Sequence, residues 1–288
     1  MPYRILLKTT IGSEPDDWHI GRFSLLARHL ASLKQNGQPI YAVAARDRVM
    51  DESGDDLDLG RLASGDFDQL WLIAADTTGA LTPGDVENIA AFRARGGGIM
   101  LTRDHQDLGS CLAGLGPLGA TQYFQSVNTD PDPSRRCCDD VETPTISWPN
   151  FHSGANGNPQ QIMVEPPRHP LVERSDGTSL QFLPAHPHEG SVGVPDTLRS
   201  TARVVARGRS LTTGNTFNLC VAVEEPSRGR AVADSSFHHF CDYNWDPRLG
   251  APSFVSEPVG DVMLKEPAAI LDTRRYVENI AAWLSGRT

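Results

Sequence analysis

"LTPGDVENIAAFRARGGGIMLT", residues 81–102, decides the fold class, because it reads as a helix delivered straight into a strand. Thr82 has the chemistry of an N-cap, and Pro83 suits the first helical position, where its missing N–H costs nothing. Asp85 adds an acid in the first turn, and Val86, Ile89, Ala90 and Phe92 form the face to be buried. Three glycines at 96–98 stop the helix and "GIMLT" (98–102) begins a strand. Just upstream, "QLWLIAA" (69–75) is apolar almost without a break, as a strand covered on both faces of a parallel sheet must be. Strand, helix and strand in this order predict a parallel pair joined by a right-handed crossover.

The same alternation runs back to the N-terminus. "RILLKTT" (4–10) reads as a strand, and "RFSLLARHLASLKQNG" as a helix with Phe23, Leu26, Leu30 and Leu33 inward, ended by Asn36-Gly37. "PIYAVAA" (39–45) is a further strand. The acidic connection that follows, including residues 51–58, reads as a solvated loop. From about 117 to 200 the chain changes to Pro, Gly, Asn, Ser and Asp with brief apolar runs. A loop-rich segment this long is a functional or covering element rather than a linker. Regular patterning returns with "ARVVARG" (202–208) and "FNLCVAVEE" (217–225), a β-hairpin turning at Gly214-Asn215, then "RAVADSS" (230–236) and a final helix burying Tyr276, Val277, Ile280, Ala281 and Leu284. The expectation is one α/β domain over 1–288: a flavodoxin-like, doubly wound, mostly parallel sheet with an irregular insertion at 117–200 covering the site.

Composition narrows the function. With 26 basic against 36 acidic residues, a formal charge of −10, the chain has no basic field for a nucleic-acid backbone or an anionic membrane. No stretch reaches about 18 apolar residues and the start lacks a signal-peptide pattern, so a cytoplasmic location is expected. Five cysteines without CxxC spacing, two of them vicinal (Cys137-Cys138), read as reduced thiols. No GxxxxGK stretch occurs, and no nucleotide cofactor is expected.

Open α/β sheets place ligands at the carboxyl ends of their strands, where loops diverge. Three titratable loops leave such ends: "TRDHQDLG" (102–109), with a helix expected from near Asp107; "IGSEPDDWH" after the first strand; and "DSSFHHFCDYNWD" (234–246). Asp76, Thr77 and Thr78 leave a fourth. In "LPAHPHEG" (183–190), His186 and His188 share a face if the chain is extended, which Pro187 favours at His186. Adjacent His238 and His239 would face opposite sides of a strand, so one of them reaches a given pocket.

The order of elements, "GGGIMLTRDH", "RHPLVERSDGTSLQF" and "GRAVADSSFHHF" resemble the ThuA-like (trehalose-utilisation) branch of the class I glutamine-amidotransferase-like superfamily. His169-Pro170 and His238 match that branch's mid-chain His-Pro and late loop histidine. The resemblance implies a flavodoxin-like sheet with a site at the strand ends. It does not imply glutaminase chemistry, since Asp104-His105 stands where the amidotransferase nucleophile, a Cys, would be, and Cys111 falls inside the following helix.

These residues support a small-molecule hydrolase or lyase acting on a carbohydrate-like or amide-like substrate. One divalent transition metal (Zn, Fe, Mn or Ni) would be held by His186 and His188, with Glu189, His238 or Asp242 closing the shell. Asp104 or Glu189 would act as base and His105 or His238 as acid. Trp18, Asp76, His152 and Tyr243 are the substrate-contact candidates. A metal-free acid–base site on the same groups is the competing mechanism. A non-catalytic ligand-binding or assembly protein that kept the fold and lost the nucleophile is the alternative to an enzyme, and a homo-oligomer stays open.

Overall fold

The computed structural model describes residues 1–76, 79–136, 139, 143 and 145–287. Its centre is an eight-stranded sheet built from β1 (Tyr3–Thr9), β2 (Tyr41–Arg46), β3 (Gln69–Ile73), β4 (Gly98–Thr102), β5 (Met163–Val164), β6 (Ala202–Arg209), β7 (Thr216–Val223) and β8 (Ala231–Asp234). The strands lie in the order β2-β1-β3-β4-β8-β7-β6-β5. The five from β2 to β8 are parallel, and β7, β6 and β5 continue antiparallel. This is the flavodoxin-like α/β architecture, with the β6–β7 hairpin extending one side.

Alternate residues of each parallel strand feed two cores. Ile5, Leu7, Trp71, Ile73, Met100 and Val232 pack with α1 (Ser24–Ser32) and the C-terminal helix, whereas Leu6, Leu70, Leu72, Ile99, Leu101 and Ala233 face α2 (Pro83–Ala94) and the turns at 110–119. Apolar side chains are therefore needed on both faces, which explains the unbroken apolar runs. Thr82 and Asp85 close a capping box at the start of α2, as the sequence predicts. Ile89 and Phe92 are buried there, but Val86 is only half-buried and Ala90 is exposed. The C-terminal helix, α3 (Pro267–Leu284), buries all five predicted residues.

Three local expectations change. α1 stops at Ser32, and Asn36-Gly37, both at positive φ, instead turn a small hairpin between Lys34–Gln35 and Gln38–Pro39. No α-helix starts near Asp107; Gly109 and Gly116, at φ 82° and 60°, divide the segment into a 3-10 turn and a single α-turn. The acidic connection is not merely solvated. Lys8 is buried on β1, with its Nζ 2.9 Å from Asp56, 2.7 Å from Asp58 and 2.8 Å from the Asp47 carbonyl. Asp56 also caps the short helix Leu57–Gly60. A buried ammonium must be paired, and this loop supplies the partners.

Within 117–200 the described residues form short strands. Pro159–Gln161 pairs with Phe182–Pro184, Gln122–Tyr123 pairs with Ser191–Val192, and β5 joins the main sheet. Thr77, Thr78, Cys137 and Cys138 lie outside the described residues. Among the described residues, no helix is long and apolar enough to cross a membrane.

Candidate functional site

Register brings the loops together. Thr9 pairs with Ile73, Ile73 with Thr102, and Thr102 with Asp234, so β1, β3, β4 and β8 end at one level. The segments that leave this edge, with the chain at 185–192, surround a cavity of about 390 Å³. Asp104, His105, His186, His188 and His238 all line it, with Trp18 and Asn156.

Asp104 is the hub. Its Oδ1 lies 3.1 Å from His186 Nε2, and its Oδ2 lies 3.3 Å from His105 Nδ1 and 3.7 Å from His238 Nε2. Burial would raise its pKa, but His105, His238 and His186 hold it well below the usual carboxylate range. The His186 and His238 rings stack at 3.5 Å, 9° from parallel. Burial, then the neighbouring His238, pushes His186 well below an ordinary imidazole. Burial would lower His238 too, yet the Asp104 carboxylate, followed by Cys241, carries it up to about 10. Trp18 closes this side with its ring centre 4.8 Å from that of His238, edge to face.

Behind the two rings an amide chain sets their tautomers. Asn244 Nδ2 donates to the Ala185 carbonyl at 2.7 Å and to Asn156 Oδ1 at 3.0 Å. The backbone carbonyl can only accept, so the Asn244 amide has one orientation, and through it so does Asn156. Asn244 Oδ1 then faces His238 Nδ1 at 3.0 Å and Asn156 Oδ1 faces His186 Nδ1 at 2.9 Å. Each Nδ1 must carry the proton. Each neutral ring consequently presents an Nε2 lone pair to Asp104, an acceptor set against an acceptor, which only a cation or an added proton between them relieves.

Several sequence candidates lie elsewhere. Glu189, fully buried, accepts from Ser153 at 3.0 Å, Gln160 at 2.5 Å and Ser235 at 3.1 Å, and meets His239 Nε2 at 3.1 Å. His188 lies in a turn at 187–188, not in the extended chain that the sequence suggests, and lines the cavity, whereas Glu189, bridged to Phe151, faces the network behind. His239 belongs with it, held between Glu189 and Asp234, and Tyr276 completes this rear network. Residues 237–239 form a 3-10 turn capped by Ser236, not an extended strand end, and His238 alone of the pair lines the cavity. Asp242 is corrected from metal ligand to helix cap: its oxygens accept from Ser24 N, Ser24 Oγ and Leu25 N at 3.1, 2.6 and 2.7 Å, at the start of α1. Asp76 bonds Thr10 and Cys111, and Ala75 lines the cavity in its place. His152 and Tyr243 do not line it either. His169, the mid-chain match, caps the 3-10 turn Pro170–Val172 and packs edge-on against Trp283, away from the cavity.

Sequence reasoning missed Asn156, Asn244 and the strap at 250–261, which contributes Phe254, Val255 and Glu257 to the wall. Glu257 lies 3.2 Å from His188 Nε2. Asparagine and a loop glutamate carry no spacing signal, and only their contacts reveal them.

No protein-family model matches the chain, and no curated protein does. Among solved structures, the chain is similar to the mmIFT52 N-terminal domain, at 10% identity over 98% of this chain and 97% of that one, with a TM-score of 0.51. It is similar to the glutaminase domain of Trypanosoma brucei CTPS with bound acivicin, at 13% identity over 99% and 95%, with a TM-score of 0.50. A thua-like protein from Parabacteroides merdae aligns at 12% identity over 82% and 79%, with a TM-score of 0.41, too low to carry an argument. What these likenesses establish is the fold, which is glutamine-amidotransferase-like.

Proposed function

We propose that the chain is a small-molecule hydrolase or lyase whose reaction centre is Asp104, His186 and His238, with one divalent transition metal (Zn, Fe, Mn or Ni) as cofactor. The observation that carries this reading is the fixed pair of Nε2 lone pairs facing one buried carboxylate, with ligand atoms of all three residues within 4.8 Å of one another. His186 Nε2 lies 3.1 Å from one Asp104 oxygen and His238 Nε2 3.7 Å from the other, separations of the order found between ligand atoms of one ion. Two imidazoles and a carboxylate leave coordination positions open. A bound dication would act there as a Lewis acid toward a substrate carbonyl or a water.

The chain's own groups divide the remaining work. Asn156 and Asn244 hold the rings, as partners behind metal-binding histidines do. His105 and the His188–Glu257 pair, on the same cavity wall, are placed to hold and move protons. Buried Trp18, half-buried Val255 and the exposed Phe254 give that space an apolar wall. This ligand set keeps His186 and His238 from the sequence reading and puts Asp104 in place of His188 and Asp242. Membership of the ThuA-like branch is a reading from the sequence motifs, and His238 is the matched residue that the cavity uses.

A second reading has its own support. The Asp104 carboxylate holds His238 up to about 10, so without metal these two form an imidazolium–carboxylate pair able to do acid–base chemistry. Elemental mass spectrometry on protein purified without a histidine tag separates the two. About one equivalent of a transition metal, lost in both His186→Ala and Asp104→Asn, is the expected result. No metal after replenishment overturns the metal reading and leaves the acid–base pair.

A further inference from the structure

We infer that the cavity selects a small cationic ligand, an amine carried on an apolar or aromatic body, and discriminates against carboxylates and phosphates of the same shape. The inference rests on the cavity's being the working site, not on its metal.

Three carboxylates, those of Asp17, Asp104 and Glu257, line the space, and no Lys or Arg does among the described residues. The arginine next in sequence, Arg103, is fully buried and stacked 4.2 Å from the Phe124 ring centre, outside the lining. A bound dication with neutral histidines leaves one of the three negative charges uncompensated, and an imidazolium at His238 without metal leaves two, so the field favours a cation in either state. Around these charges stand Trp18, Leu108, Ile146, Phe254 and Val255, a wall suited to a flat or aliphatic group. The cavity, at about 390 Å³, holds a molecule of one ring and a short side chain.

The selecting groups are held in place. Ser253 N donates to Asp16 at 2.7 Å, Gly260 N to the Asn156 carbonyl at 2.8 Å and Met263 N to the Gly157 carbonyl at 3.0 Å, which pins the strap on both sides of Phe254–Glu257. Glu257 is further tied to His188. Asp17 comes from a separate element, the loop after β1, and its carboxylate accepts from Trp18 N at 2.7 Å, which an asparagine oxygen can also do. Two carboxylates from separate elements flank one apolar space, as recognition of an ammonium group requires.

The test uses three probes of one shape, benzylamine, benzyl alcohol and benzoate, titrated by ligand-observed NMR against metal-free and zinc-supplemented protein. On metal-free protein benzylamine should bind about tenfold or more tighter than benzoate, with the alcohol between them. Asp17→Asn should weaken benzylamine about threefold and leave the alcohol unchanged, and Phe254→Ser should weaken all three. Benzoate binding as tightly as benzylamine without metal, benzylamine unmoved by Asp17→Asn, or no binding of any probe would overturn the inference. Because selectivity is read without metal, its failure stays distinct from failure to bind a metal.

Discussion

Asn244 offers the sharpest test of the candidate centre, because it holds His238 directly and His186 through Asn156 without lining the cavity. In Asn244→Leu, the His238 Nδ1–H loses its acceptor, the Ala185 carbonyl loses its donor, and Asn156 loses the contact that orients its amide. Asn244 is fully buried, so water does not replace these partners. Each orphaned group costs about 1–3 kcal/mol; with one partially compensated, the sum is on the order of 3–5 kcal/mol of folding stability. The specific consequence lies at the rings: with the Nδ1 acceptor gone, His238 can place its proton on Nε2, facing Asp104, and metal affinity should fall about 10- to 100-fold. Long-range 1H–15N spectra report the tautomer directly, calorimetric zinc titration the affinity, and urea unfolding the stability. In the wild type both rings should show a protonated Nδ1, and in the variant the first proton that the His238 imidazolium gives up as pH rises should come from Nδ1 rather than Nε2. An unchanged His238 tautomer in a variant that loses only stability would refute the orienting role.

Three further outcomes follow from the geometry. Lys8→Met leaves Asp56 and Asp58 without their buried cation and should cost about 3–5 kcal/mol, lowering Tm by roughly 6–15 °C; a shift under 2 °C would show the pair to be dispensable. Glu189→Gln sets an amide against donors and should lower the urea midpoint while zinc affinity stays within about twofold, whereas lost activity at unchanged stability would restore Glu189 to a catalytic role. His169, pushed down to about 4 by burial and then by Arg203, accepts from Leu171 N only while neutral. Its contribution is therefore complete above the ordinary imidazole pKa of about 6.5 and is lost as pH falls through about 4, amounting to on the order of 2–3 kcal/mol. His169→Asn keeps an acceptor that does not titrate, so its urea midpoint should fall less than that of the wild type between pH 7 and pH 4; parallel losses would refute the assignment.

The fold was legible because its determinants are local or periodic. Thr82, Pro83 and Asp85 announce α2 by cap chemistry within four residues. Unbroken apolar runs such as "QLWLI" and "GIMLT" identify strands covered on both faces. Strand ends then locate the cavity by topology, which is why His105, His186, His188 and His238 could be assigned to one cleft. Failures occurred where one residue had two chemically equal uses. An aspartate serves as a ligand or a cap, and whether Asp242 meets a metal or the start of α1 depends on a helix more than two hundred residues away in sequence. Glu189 and His188 are neighbours in sequence, but the turn at 187–188 and the bridge of Glu189 to Phe151 leave one on the cavity and the other in the rear network.

The sequence by itself determined the α/β class, the alternation that winds the sheet, and which loops meet at its carboxyl edge, since these depend on periodicity, capping and chain direction. Tertiary structure alone decided the composition of the centre. The Asn244–Asn156 amide chain, the Lys8 pair with Asp56 and Asp58, and the strap that brings Glu257 to His188 join segments distant in sequence. A hydrogen bond needs its partners within about 3 Å and correctly oriented, a condition that no spacing along the chain encodes.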